Sequence, residues 1–196
     1  HRLDNITPLE EVLDTLTEIR KAGKILYIGC STMPAYKFAQ LLMLAECKGY
    51  ARPIAMQNLY NLIQRDEERE MIPLCVDAGV GLIPYSPLAR GVLAGNRVGG
   101  GVGETERAKY DKGLKTGASL FRDSDKEVVA TVISIAKKYD IKPTQVALAW
   151  ILKKPAVVSP IIGATKLSHI SDAISAVDIQ LSMDDMKNLE RPYQSR

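Results

Sequence analysis

Short, almost wholly apolar runs alternate with longer segments whose apolar residues recur every three or four positions. No other feature restricts this chain as much. The short runs are "KILYIGCS" (24–31), "PIAMQN" (53–58), "VGLIPYS" (80–86) and "AVVSPIIG" (156–163). Each is the length of one strand and lacks the apolar/polar alternation of a half-exposed strand, so each predicts a strand buried on both faces. Between them lie helical patterns. Thr7-Pro8-Leu9-Glu10 has the form of a capping box with Pro at the first turn, and Leu9, Val12, Leu13, Leu16 and Ile19 follow on one face up to Gly23. Pro34 opens a second helix with Phe38, Leu41, Leu42 and Ala45 inward and Gly49 at its end. Asp66, Glu67 and Glu68 predict the acidic first turn of a third, with Met71, Leu74, Cys75 and Ala78 buried and Gly79 closing it. Further helices are expected from Ser124-Asp125-Lys126-Glu127, from Thr144 to Lys153, near 167–176 and near 183–190. Strand–helix alternation of this kind means a parallel sheet covered by helices.

One stretch breaks the rhythm. Leu88 to Arg122 is polar and rich in glycine and basic residues, including "GNRVGGGVGETERAKYDKG", and predicts a lid or linker of about 88–122 within a single domain of 1–196. No Gly-Lys-Ser/Thr follows the glycines, and they do not join a strand to a helix, so neither phosphate-loop nor dinucleotide fingerprint is present.

Composition excludes several classes. The 26 basic and 23 acidic residues are scattered, leaving a net charge of +3 and no basic stripe for nucleic acid. No apolar run approaches the ~18 residues of a membrane span, and no signal peptide is visible. The three cysteines, Cys30, Cys47 and Cys75, form no CxxC, and each sits in an apolar run. They predict buried free thiols, a reducing compartment and a cytoplasmic location. With only His1 and His169, no metal site is expected.

Chemistry-bearing residues collect after the strands: Cys30-Ser31-Thr32, Gln57-Asn58 followed by Tyr60-Asn61, Tyr85-Ser86-Pro87-Leu88 and Gly163-Ala164-Thr165-Lys166. All follow C-terminal strand ends, the face on which a parallel barrel builds its site. A helix beginning near Leu167, with Lys166 before it, is also a candidate anion site. His1 precedes a loop and a helix, as though it ended a strand upstream.

The stretches "HRLD", "KAGKILYIGCST", "MQNLYNLIQRDEEREMIPLC", "GLIPYSPLARGVL" and "PIIGATKL" together resemble the C-terminal part of an aldo-keto reductase. The similarity is to the branch of fungal aryl-alcohol dehydrogenases and toxin-pathway reductases. The resemblance implies an α/β fold, the C-terminal half of a (β/α)8 TIM barrel with about four parallel strands and covering helices. It implies NADP(H) as cofactor and a small-molecule carbonyl, an aromatic aldehyde or ketone, as substrate. By the same resemblance His1 is catalytic and orients the carbonyl. Ser31 and Gln57 hydrogen-bond the nicotinamide carboxamide, with Thr32 beside them, and Tyr85 stacks on the nicotinamide ring. Ser86, Leu88 and Ala89 wrap the pyrophosphate. Gly163, Thr165 and Lys166 surround the adenosine 2′-phosphate, His169 stands where relatives often carry Arg or Gln, and Asp172 contacts adenine. The family's catalytic Asp, Tyr and Lys match nothing here. The expected partner is a missing N-terminal half-barrel or a second copy. The alternative is an inactive truncated remnant that at most binds nucleotide weakly.

Overall fold

A computed structural model of the chain describes residues 1–4, 6–95 and 122–195. The described residues divide into two compact units. The first comprises residues 1–4, 6–59, 67–85 and 155–159, and the second residues 60–66, 86–95, 122–154 and 160–195.

The first unit holds helix α1 (Leu9–Lys21), strand β1 (Gly29–Ser31), helix α2 (Ala35–Lys48), strand β2 (Ala55–Gln57), helix α3 (Met71–Asp77) and strand β3 (Gly81–Leu82). The strands lie in the order β1-β2-β3, all parallel, with Gly29 opposite Ala55, Ser31 opposite Gln57 and Met56 opposite Leu82. Parallel neighbours require a crossover, which α2 and α3 supply. Gly49 adopts φ 72° at the end of α2, a conformation that frees the chain to turn toward β2 without a Cβ clash. Leu13, Ile28, Leu41, Ala45 and Ala51 form the core between the helices and β1, with Leu9, Leu16 and Ile25 packed against it. The buried Thr17 side chain bridges elements and is satisfied: its Oγ1 donates to the Leu13 carbonyl at 2.6 Å and accepts from the Ala51 amide at 2.8 Å.

Several expectations need correction. "KILYIGCS" is strand only over Gly29–Ser31, and Leu26 and Tyr27 are 79% and 66% exposed. An apolar run marks residues that prefer burial but not whether both faces find a cover. "AVVSPIIG" makes no regular strand. It contributes one parallel bridge, Val157 to Leu82, through Leu82 N to the Ala156 carbonyl (2.7 Å) and Val158 N to the Leu82 carbonyl (2.9 Å). Asp66–Glu68 forms a separate 3₁₀ turn, and α3 starts only at Met71 with no acid in its first turn. Pro73 is the reason. Its missing N–H and its ring are tolerated in a first turn but not seven residues into a helix. The N-cap of α1 is Pro8 rather than Thr7, with no side-chain capping bond, and the turn before it is held by Asp4 Oδ1, which accepts from the Ile6 and Thr7 amides at 2.7 and 2.6 Å. Cys75 is buried and Cys30 half-buried, but Cys47 is exposed.

The second unit holds helices α4 (Asp125–Tyr139), α5 (Pro143–Leu152), α6 (Leu167–Ser175) and α7 (Met183–Glu190), with 3₁₀ turns at Ala89–Ala94 and Ala176–Asp178. Its core is built on Trp150, fully buried and tilted 40° against Tyr60 with ring centroids 5.4 Å apart. Leu62, Ile63, Leu93, Val132, Ile151 and Leu189 are also buried. Trp150 Nε1 donates to Glu190 Oε1 at 3.0 Å, and Arg65 and Lys154 converge on the same glutamate. The Ser182 hydroxyl caps α7 by accepting from the Asp185 amide at 3.1 Å. Of the predicted 88–122 loop, Ala89–Ala94 is a 3₁₀ turn, and residues 96–121 lie outside the described residues.

Candidate functional site

In the first unit, the ends of the strands bring together residues the sequence singles out. Ser31 and Gln57 are register partners at the C-terminal ends of β1 and β2, so both project to the same face of the sheet. Ser31 Oγ donates to the Gln57 carbonyl at 2.8 Å, and the Thr32 amide donates to that same oxygen at 3.2 Å. The Ser31 proton is therefore used, and its lone pairs remain as acceptors. Gln57 is half-buried, as are Ser31 and Thr32. Tyr85 forms a parallel bridge with Leu59, two positions past Gln57, and its amide donates to the Asn58 carbonyl at 2.9 Å. Strand alternation gives Tyr85 the same facing as Leu59 and Gln57.

Asn58 is 1% exposed, and among the described residues neither its side-chain Nδ2 nor its Oδ1 has a hydrogen-bond partner. Such a group costs free energy relative to a satisfied one.

In the second unit, Ser86, Ala89 and Arg90 all have positive φ, at 53°, 48° and 56°. Three non-glycine residues in that region within five positions mark a locally strained segment. It is held in part by Asn61, 1% exposed, whose Nδ2 donates to the Ser86 carbonyl at 3.0 Å while its Oδ1 accepts from the Ile63 amide at 3.0 Å. Ser86 and Leu88 are half-buried, but the Ala89 side chain is 1% exposed, so Ala89 can offer a ligand only its backbone.

Gly163, Thr165, Lys166 and His169 are all exposed. Lys166 is the N-cap of α6. Just before this N-cap, His169 Nδ1 accepts from the Thr165 amide at 3.4 Å. Asp172, on the second turn of α6, is engaged as well. Lys142 Nζ lies 2.7 and 2.8 Å from its two carboxylate oxygens.

His1 is exposed in a stretch without regular structure. Among the described residues no group of three or more His, Cys, Asp or Glu side chains is placed to hold a metal ion, and no helix is long and apolar enough to cross a membrane.

Residues 1–193 match the family model described as the aldo/keto reductase family. The chain belongs to the aldo/keto reductase family. A Schizosaccharomyces pombe protein carrying the name aryl-alcohol dehydrogenase is 45% identical over 98% of this chain and 53% of its own length. The versiconal hemiacetal acetate reductase of Aspergillus parasiticus is 41% identical over 98% of this chain and 55% of its own. A crystal structure of a thermostable aldo-keto reductase with the inhibitor epalrestat superposes with a TM-score of 0.72 at 29% identity, over 98% of this chain and 57% of that one. This aldo/keto reductase chain thus spans about half the length of the curated relatives it matches.

The sequence alone places Asn58 and Asn61 after the second strand without announcing their roles, and it misses Lys142. Asn61 anchors the strained Ser86 segment, a role that its place after the strand does not announce. Asn58 reads as one more polar residue after a strand, and nothing in its neighbours announces an unpaired buried amide. Lys142 is 30 positions from its partner Asp172, beyond any local pattern.

Proposed function

We propose that this chain is the cofactor-holding part of an NADP(H)-dependent reductase that interconverts aromatic aldehydes or ketones and their alcohols. The observation that carries the reading is the Ser31–Gln57 register pair, with Tyr85 facing the same way from the next strand end. In the first unit, Ser31 Oγ is left able only to accept, which suits the amino group of a nicotinamide carboxamide. Gln57 supplies both donor and acceptor, and Thr32 holds the Gln57 carbonyl in place. Tyr85 offers a ring face against which a flat heterocycle stacks. In the second unit, the Ser86 to Ala89 backbone is the proposed pyrophosphate contact. Gly163, Thr165 and Lys166 are the proposed 2′-phosphate contacts, His169 is a further proposed cofactor contact beside them, and Asp172 is the adenine contact. When bound, the nicotinamide supplies hydride. The chain's own residues orient the ring and stack on it, and His1 donates a hydrogen bond to the carbonyl oxygen as charge grows there.

A second reading is favoured by the exposure of apolar residues around the sheet, with Leu26 at 79%, Tyr27 at 66% and Val158 at 64%. These residues await a cover, in our reading the N-terminal half of a (β/α)8 barrel or a second copy of this chain. On its own the 196-residue polypeptide then binds nucleotide but lacks turnover, since a proton-donating Tyr with its Lys and Asp is expected on that other half. The three free thiols fit a cytoplasmic location.

The test is to incubate the isolated chain, and the chain joined to a relative's N-terminal half, with NADPH and an aromatic aldehyde. The reading expects NADPH oxidation only from the joined protein. An inactive joined protein with a native fold contradicts the reductase assignment, and saturable turnover by the purified isolated chain contradicts the second reading.

A further inference from the structure

The first residue of α5 is preceded by a lysine, and helix chemistry does not explain it. N-caps favour Ser, Thr, Asp or Asn, whose side chains accept from the first free amides. Lys142 has no acceptor to offer. Its side chain instead reaches α6, where Nζ contacts both Asp172 oxygens at 2.7 and 2.8 Å. A closed set of hydrogen bonds fixes the two ends. The Lys142 amide donates to Gln145 Oε1 (2.8 Å), Gln145 Nε2 donates to Ser175 Oγ (2.6 Å), and Ser175 Oγ donates to the Asp172 carbonyl (3.0 Å). Backbone and side chain at both Lys142 and Asp172 are thereby tied to one another.

We propose that Lys142 is a positioning residue for the adenine end of the nucleotide, holding the Asp172 carboxylate as an acceptor for the adenine 6-amino group. The inference rests on the reading of Asp172 as the adenine contact and goes beyond it. An ionised carboxylate has about four acceptor positions. Lys142 occupies one on each oxygen and leaves one on each. Unpinned, an aspartate on a helix surface rotates about its terminal torsion and offers those positions in many directions. Pinned, it offers them in one. The ammonium also balances the carboxylate charge, so that the acceptor does not repel the phosphates of the ligand it is to bind. The side chains are 58% and 22% exposed for Lys142 and Asp172, so a ligand can reach the pair from solvent.

The experiment is calorimetric titration of the full chain with two ligands, NADPH and its hypoxanthine analogue, in which oxygen replaces the adenine 6-amino group. The wild-type chain is expected to prefer NADPH by about tenfold, the range of one hydrogen bond to a charged acceptor. Lys142→Met should reduce that preference to within about twofold, and Lys142→Arg should restore most of it. Melting temperature and circular dichroism serve as controls for fold. A purely structural tether between α5 and α6 would lower stability without altering the ratio between the two ligands. If Lys142→Met keeps the tenfold preference while Asp172→Ala abolishes it, the positioning role is wrong and Asp172 remains the adenine contact. If the wild type shows no preference, or Asp172→Ala retains it, the adenine assignment itself is wrong and the inference falls with it.

Discussion

Ser31 and Gln57 face each other across the parallel β1–β2 pair, and the Ser31 hydroxyl is spent on the Gln57 carbonyl at 2.8 Å. The bond has two consequences. It fixes the end of β2, and it leaves Ser31 only as an acceptor. Ser31→Ala removes one part-buried hydrogen bond, about 1 kcal/mol of stability. On the proposed function it also weakens NADPH binding about three- to tenfold. A thermal melt and a calorimetric titration measure the two effects on the same sample.

Asn58 yields a prediction of the opposite sign. Its buried side-chain amide has no partner among the described residues, so Asn58→Leu, similar in volume and apolar, is expected to leave stability unchanged or raise it by up to about 2 kcal/mol. Chemical denaturation checks this. A loss of more than about 1 kcal/mol would show that the amide has a partner in solution.

Asp185 makes stability depend on acid. Hydrogen bonds from Lys138, then Ser182 and Tyr139, lower its carboxyl from 3.8 to about 2. The folded pKa lies below the unfolded one. The contribution is therefore fully present above pH 3.8 and lost as pH falls from 3.8 toward about 2. Asp185→Asn is expected to cost about 1–3 kcal/mol at neutral pH and to flatten the stability curve across that acid window. Urea melts at a series of pH values follow the difference between the two proteins.

The three thiols should separate by reactivity. Burial pushes Cys30 and Cys75 up to about 11, and Cys47 is the exposed one. The thiolate is the nucleophile. Iodoacetamide at neutral pH is expected to label Cys47 first, with Cys30 and Cys75 following on unfolding, as read by peptide mass spectrometry.

Glu190 ties the last helix to the core of the second unit. It accepts from Trp150 Nε1, pairs with Lys154, and receives Arg65 at both its backbone and its carboxylate. Glu190→Ala leaves a buried indole N–H without its acceptor and should cost about 2–4 kcal/mol. Tryptophan emission, from Trp150 alone, should shift to the red and report the loosening directly.

Much of this fold is legible in the sequence, because periodicity and glycine punctuation are local. Leu9, Leu13 and Leu16 do pack where their spacing puts them, and Gly49 ends α2 with the left-handed conformation its position suggests. The family resemblance rests on residues that lie at strand ends, and Ser31, Gln57 and Tyr85 are found there. What was not legible depends on long-range geometry or on backbone choices. Leu26 and Tyr27 look like strand core, yet nothing in the described residues covers them. Pro73 delays α3, although the acids at Asp66–Glu68 imitate a helix start. Ser86, Ala89 and Arg90 adopt positive φ without being glycine, which composition cannot announce. The Lys142–Asp172 pair joins residues on different helices, and only the folded chain brings them together.

The most direct measurement is a calorimetric titration of the chain with NADPH, repeated on Gln57→Leu. Removing the Gln57 carboxamide while keeping its bulk should weaken binding about tenfold or more, with β2 and the melting temperature preserved. Equal NADPH affinity in the wild type and in a correctly folded Gln57→Leu protein would contradict the placement of a nicotinamide at the ends of these strands.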